Sequence, residues 1–184
     1  MKIIDLSERD PEVIQEVARL LMAGFKAHWP NAWPNMESAL NEVLESLDTE
    51  RISRIAVNDQ GQVLGWIGGI SEYEGHAWQL HPLVVHPGYQ GSGIGRALVS
   101  DLETLIRRRG GTTIYLGTDD EDGMTTLSDI DLYPNVFEHI ARIKNLKGHP
   151  YQFYQKLGFV IVGAIPDANG PGKPDITMAK RVSS

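Results

Sequence analysis

The sequence predicts an α/β protein: a mixed central β-sheet with helices on both faces. Three observations lead there. Short apolar runs with strand spacing alternate with longer runs at helical spacing, in the order β-α-α-β-β-β-α-β-α-β-β, the last α being two short helical segments. Two strand-like runs meet at Gln60-Gly61, which reads as a hairpin. No repeat, linker or low-complexity tract divides the 184 residues, a length that suits one domain.

The elements follow in order. KIIDL (Lys2–Leu6) reads as a first strand. Asp10-Pro11 supplies an N-cap residue and a proline at the first helical position. Val13, Val17, Leu20, Leu21 and Phe25 then recur at helical spacing through His28. Trp29-Pro30 and Trp33-Pro34 break that helix. A second helix over about Met36–Leu47 groups Leu40, Val43, Leu44 and Leu47 on one face. Ser53–Asp59 and Gln62–Tyr73 form the hairpin strands, and Ala77–His86 a further strand. A helix over about Gly93–Arg109 stops at Gly110-Gly111. Thr112–Thr118 is the next strand, and an acidic loop follows to Asp131. Short helices are expected at about Asn135–Asn145 and Tyr151–Leu157. Phe159–Ile165 and Pro174–Lys180 close the chain as strands.

Composition narrows the function. The 41% hydrophobic content is enough for a real core. No apolar run reaches the length of a membrane span, and the N-terminus turns charged too early for a signal peptide, so a cytoplasmic protein is expected. The absence of cysteine excludes disulfides, thiolate metal sites and a cysteine acyl-enzyme. A net charge of −7 argues against a nucleic-acid partner and suits a cationic one. His76, His139 and His149 have no metal-ligand spacing.

The stretch VVHPGYQGSGIGRAL (Val84–Leu98) sets glycines between an apolar run and a helical one. Gly91, Gly93 and Gly95 let an anion approach their amides, and the helix adds the positive end of its dipole. Ser92 offers a hydroxyl and Arg96 a charge. This is a phosphate site at a strand-loop-helix junction. It is not a P-loop, since no Lys-Ser/Thr follows. It also misses the dinucleotide fingerprint, whose sixth position is here Arg96.

Gln90, Gly91, Ser92, Gly93, Ile94 and Gly95 resemble the acetyl-CoA loop of the GNAT superfamily of N-acetyltransferases, with its Q/R-x-x-G-x-G/A pattern. FYQKLGFVIVG (Phe153–Gly163) resembles that superfamily's closing helix-strand segment. Within it, WQLHPLVV, GTTIYLGTDD with TTLS and DLY, HPYQFYQKLGF and PDANGPGKPDI resemble the chromosomal aminoglycoside 6′-N-acetyltransferases of Gram-positive bacteria. The resemblance runs over nearly the whole chain. It implies a GNAT fold forming one N-acetyltransferase domain over residues 1–184. It also implies direct acetyl transfer from acetyl-CoA to an aminoglycoside 6′-amine, antibiotic resistance as the consequence, and a homodimer.

The resemblance assigns parts to particular residues. Main-chain groups of Leu83 and Val85 pair with the coenzyme's pantetheine arm, while their side chains are expected in the core. Tyr154 takes the place of the phenol that protonates the departing sulfur, and Tyr151 is left as an aromatic anchor. In the aminoglycoside enzymes a glutamate commonly stands where this chain has Gln79, and an amide has no accessible basic form. Gln79 is therefore left to orient the amine or a water. His81 shares its strand face by period two and brings an imidazole, a side chain suited to proton transfer. The residues alone leave His81 either as base or relay, or as a packed histidine with the proton passing to water.

The acceptor needs carboxylates. Asp119, Asp120, Glu121, Asp122, Asp129 and Asp131 crowd one loop, and Asp119, Asp120 and Asp129 are the chosen ligands. Trp29 and Trp33 either line the sugar-facing wall or pack the helix connection. Glu72 and Tyr73, leaving a hairpin strand, face the same cleft in this reading. Two other functions stay open at this point: acetylation of another polyamine or small amine, and a non-catalytic acyl-CoA-binding module, to which Gln79 lends weight.

Overall fold

The computed structural model describes residues 1–182. The chain forms two compact units, residues 1–114 with Val182 and residues 115–181. Its seven strands belong to a mixed sheet.

In the first unit, β1 (Lys2–Asp5), β2 (Arg51–Val57), β3 (Val63–Glu72) and β4 (Ala77–Val85) pair antiparallel in chain order. Helix α1 (Pro11–Phe25) begins at the expected proline, but Asp10 makes no side-chain capping bond. Helix α2 (Met36–Glu45) is capped by Asn35, whose side chain accepts from the Ser38 amide. Ala39 and Val43 form its buried stripe, whereas Leu44 is 51% exposed, against the expected grouping with Val43. Adjacent helical positions point about 100° apart, and here that turn carries Leu44 off the buried face that Val43 occupies. Helix α3 (Ile94–Arg108) packs on β2, β3 and β4.

Both faces of this part of the sheet are covered. Trp66 of β3 is fully buried with Val17, Leu21 and Val43 of the first two helices. Its neighbour Gly65 points at Leu98 and Ile94 of α3. Each such fully buried large side chain contributes roughly 1.5–3 kcal/mol by leaving water.

A β-bulge divides β4. Leu83 pairs with Ile67 and Leu80 with Gly69, so His81 and Pro82 together oppose Gly68. The extra residue reverses which side chains face which helix. Before the bulge Trp78 lies over Gly69, on the side where Leu102 of α3 also reaches that glycine. After it Val84 lies against Gly24 of α1 and joins the α1 core.

In the second unit the strand order is β5-β7-β6, with β5 (Thr113–Asp119) entering from the first unit. β6 (Val160–Ile165) and β7 (Asp175–Arg181) are antiparallel. The helices are short, α4 (Val136–Ala141) and α5 (Tyr151–Gln155). The first stops well before the expected Asn145.

Candidate active site

β4 ends at Val85 and leads into a 3₁₀ turn at Pro87–Tyr89, where the His86 ring nitrogen accepts from the Gly88 amide. Gly91 and Gly93 sit at φ +78 and +90, a left-handed backbone, and a Cβ at either would meet nothing within 4 Å. Open space therefore lies over this stretch of backbone. The first amides of α3 beyond Gly93 have no intrahelical acceptor. Gly95 is half-buried, Arg96 is exposed, and the Ile94 side chain is buried beneath the loop. The Ser92 hydroxyl donates to the Tyr89 carbonyl, so its proton shapes the loop. The Gln90 amide reaches the Val85 carbonyl at 3.5 Å. Leu83 and Val85 are half-buried, not core. The bulge puts them on the α3 side, in register with Ile67 and Gly65.

Gln79 and His81 lie on the other side, with α2. Gln79 pairs in register with Ile70. His81 Nε2 stands 3.6 Å from Glu42 Oε1, and its ring lies 5.9 Å from that of Trp33. The Glu42 side chain is 18% exposed and that of His81 39%. The Glu42 carboxyl is held below its ordinary range, first by its contact with His81 and against the cost of burial; Trp33 and the Arg51 charge assist. An ion pair this open to water contributes no more than about 1 kcal/mol to stability. Trp33 packs against the α1 core and Phe25, and Trp29 meets Phe25 at a tilt and His28 edge-on. Glu72 is half-buried and Tyr73 is 74% exposed at φ 49.

In the second unit Asp119 and Asp120 are neighbours with different work. Asp120 is fully buried, and its two oxygens accept the Met124 and Thr125 amides at 2.7 Å each. Burial opposes its charge, but the Ser128 hydroxyl, those residues and His149 keep its carboxyl below the ordinary value. It orders the loop and presents no free edge. His149 is buried too; its Nδ1 accepts the Tyr151 amide, which leaves Nε2 to donate to the Asp119 carbonyl. Asp119 is half-buried and accepts from the Asn169 amide at 2.6 Å. Beside it Asp175 overlies the Gly117 backbone, with Oδ1 buried and without a hydrogen-bond partner. Burial first, and then the Asp119 charge, push the Asp175 carboxyl up to about 6. Asp129 is exposed at φ 58 and joins its amide to the Gly172 carbonyl. Asp122 accepts Lys147 through its carbonyl, and Asp131 caps a turn at Tyr133. Tyr154 is buried between Phe153 and Phe159, and burial raises its phenol well above the ordinary range. It therefore stays protonated at neutral pH. Tyr151 is buried as well.

The structure thus joins His81 with Trp33, and Asp119 with Asp120, as neighbours. Sequence reading missed Glu42 and Asp175. Neither stands in a motif; pairing with His81 and with Asp119 emerges only from the fold. Among the described residues no group of three or more His, Asp or Glu could hold a metal ion. No helix there is long and apolar enough to cross a membrane.

A half-buried strand end running into a glycine-lined helix entrance is an anion site of the kind that suits a coenzyme's pyrophosphate. Residues 14–126 match the acetyltransferase (GNAT) family, and the chain belongs to that family. Among solved structures, an aminoglycoside 6′-N-acetyltransferase complexed with coenzyme A is 44% identical with a TM-score of 0.91, covering 100% of this chain and 98% of that one. The aminoglycoside 6′-N-acetyltransferase from Enterococcus faecium is 43% identical with a TM-score of 0.88, at coverages of 100% and 98%. An acetyltransferase of Sodalis glossinidius (strain morsitans) is 45% identical over 56 residues. That stretch is 30% of this chain and 38% of the relative's length.

Proposed function

We propose that this protein is an aminoglycoside 6′-N-acetyltransferase that uses acetyl-CoA. The observation that carries the reading is the 44% identity, over the whole chain, to an aminoglycoside 6′-N-acetyltransferase complexed with coenzyme A. The open, left-handed glycines of the loop support it physically, because they leave backbone amides free to meet a pyrophosphate.

In this reading the amides of Gly91, Gly93, Ile94 and Gly95 hold the pyrophosphate, with Gln90, Ser92 and Arg96 framing the loop. Main-chain groups of Leu83 and Val85 align the pantetheine arm. Bound there, the coenzyme supplies an acetyl thioester open to attack by an amine. His81 accepts a proton from the acceptor's ammonium, and Gln79 orients the nitrogen. Tyr154, protonated at neutral pH, donates to the departing sulfur. Asp119 is the better cation ligand of the acidic loop, since Asp120 is consumed by backbone amides. Trp29, Trp33, Glu72, Tyr73 and Asp129 complete the proposed acceptor contacts. Direct transfer is favoured because no cysteine can carry an acetyl intermediate.

A single N-acetyltransferase domain over 1–184, a cytoplasmic location, a homodimeric state and a role in antibiotic resistance belong to the same proposal. So does the absence of a membrane or nucleic-acid partner, which the net charge of −7 favours. The test is thiol release from acetyl-CoA with kanamycin A and, separately, with spermidine. The reading expects turnover with kanamycin A. Turnover with spermidine alone would make the protein a polyamine acetyltransferase, and none with either would leave a binding module.

A further inference from the structure

We infer that Glu42 is a positioning residue for acetyl transfer: its carboxylate holds the Nε2 edge of His81, so that Nδ1 takes the proton from the acceptor ammonium. This rests on the proposed function and deepens it.

Gln79 brings no basic group to the side of β4 that carries His81. A carboxylate stands there all the same, contributed by α2 from far earlier in the chain. Glu42 Oε1 lies 3.6 Å from His81 Nε2. At that separation the two groups are in contact without a formed hydrogen bond, and catalytic contacts are often this long before a substrate is bound and tighten in the complex.

The pair exists because of the bulge. A regular strand continuing back from Val84, which faces α1, would turn His81 to the opposite side, toward α3. Setting His81 and Pro82 against Gly68 turns the imidazole to the α2 side. A bulge that re-aims one side chain, at the cost of a ladder position, is a feature with a use.

Glu42 is itself placed at a cost. It adjoins the buried Val43 on α2 and is only 18% exposed on its side chain. Desolvation opposes its charge, and His81, Trp33 and Arg51 outweigh that opposition. An apolar residue at this half-buried position would avoid that cost altogether. The imidazole meets Glu42 at one edge and Trp33 5.9 Å away, yet its side chain keeps 39% of its surface open. One ring edge meets a carboxylate while much of the side chain stays open, which suits the division of labour of a base and its orienting carboxylate. Glu42 fixes the neutral tautomer with hydrogen on Nε2 and a lone pair on Nδ1.

The protons balance as follows. The acceptor R–NH3⁺ gives one proton to His81 Nδ1, and Glu42 steadies the resulting imidazolium. The nitrogen forms its bond to the acetyl carbon as the carbon–sulfur bond breaks. The sulfur receives a proton from Tyr154, which regains one from water, and the second proton lost by nitrogen also passes to water. His81 returns its proton to water.

The test uses the full chain. ¹⁵N chemical shifts of His81 in the neutral protein report the tautomer. The expected result is hydrogen on Nε2 in the unmodified protein and a mixture in Glu42→Gln. Kinetically, Glu42→Gln is expected to lower kcat about tenfold with the KM for acetyl-CoA unchanged. Glu42→Asp recovers part of the loss, and Glu42→Gln adds nothing once His81→Gln is in place. An unchanged tautomer, or losses that add in the double variant, overturns the inference alone. Coenzyme A binding confirms that each variant is folded. Absence of any acetylation by the unmodified protein overturns the proposed function, and the inference with it.

Discussion

A Cβ placed on Gly68 would stand 2.2 Å from the carbonyl oxygen of His81. The backbones of β3 and β4 touch where the bulge bends toward its partner, and only glycine leaves room. Gly68→Ala must therefore push on backbone, which cannot rotate away. Overpacking of this kind costs about 1–3 kcal/mol. We expect a lower Tm and a kcat loss larger than any change in coenzyme A affinity, because the displaced group is His81. Thermal melts beside steady-state kinetics check this; a variant with normal kcat would show that the bulge does not place His81.

The coenzyme loop makes a separate prediction. Gly93 at φ +90 has space for a side chain but the wrong backbone for one. Replacing a left-handed glycine by alanine costs more than about 1 kcal/mol. Gly93→Ala should relax that strain by reshaping the amides at the entrance of α3. The dissociation constant for coenzyme A should then rise about tenfold, equal to about 1.4 kcal/mol. Calorimetric titration reads it, and unaltered affinity would remove the loop from the coenzyme site.

Tyr154 separates chemistry from packing. Tyr154→Phe keeps the ring between Phe153 and Phe159 and removes only the hydroxyl. A lost general acid lowers kcat by about 10²-fold or more. Stability and coenzyme A binding should stay near those of the unmodified protein. An unchanged kcat would reduce Tyr154 to an aromatic anchor.

Asp175 makes stability depend on pH. Burial and then Asp119 raise its carboxyl to about 6 in the folded protein. In the unfolded chain it titrates near its ordinary value, about 4. Between those values the folded state binds more protons, so stability falls as pH climbs through that window and levels off above it. Asp175→Asn should remove this slope and be the more stable form above the window, with the difference vanishing below about pH 4. Melts across pH 3–8 test it; parallel slopes in both proteins would contradict the assignment.

Much of this was readable from the residues, and the unread part has one cause. Strands and helices came from local spacing: α1 begins at Pro11 and α3 follows the glycine loop, as the pattern requires. The loop was legible because glycine spacing and a following helix are contiguous in sequence. The bulge was not, since it depends on how β4 registers against Gly68 across a pairing. Glu42 and Asp175 escaped for the same reason. Each gains its meaning from a partner distant in the chain, His81 and Asp119. Asp120 misled in the opposite way: its charge reads as a ligand, while its oxygens are spent on the Met124 and Thr125 amides.

The central claim is that this chain moves an acetyl group from coenzyme A to the 6′-nitrogen of an aminoglycoside. Incubation with acetyl-CoA and kanamycin A, followed by NMR mapping of the product, measures it most directly. The account predicts a single acetamide at the 6′-nitrogen with release of free coenzyme A. Recovery of unmodified kanamycin A, or acetylation at another amine, would contradict it.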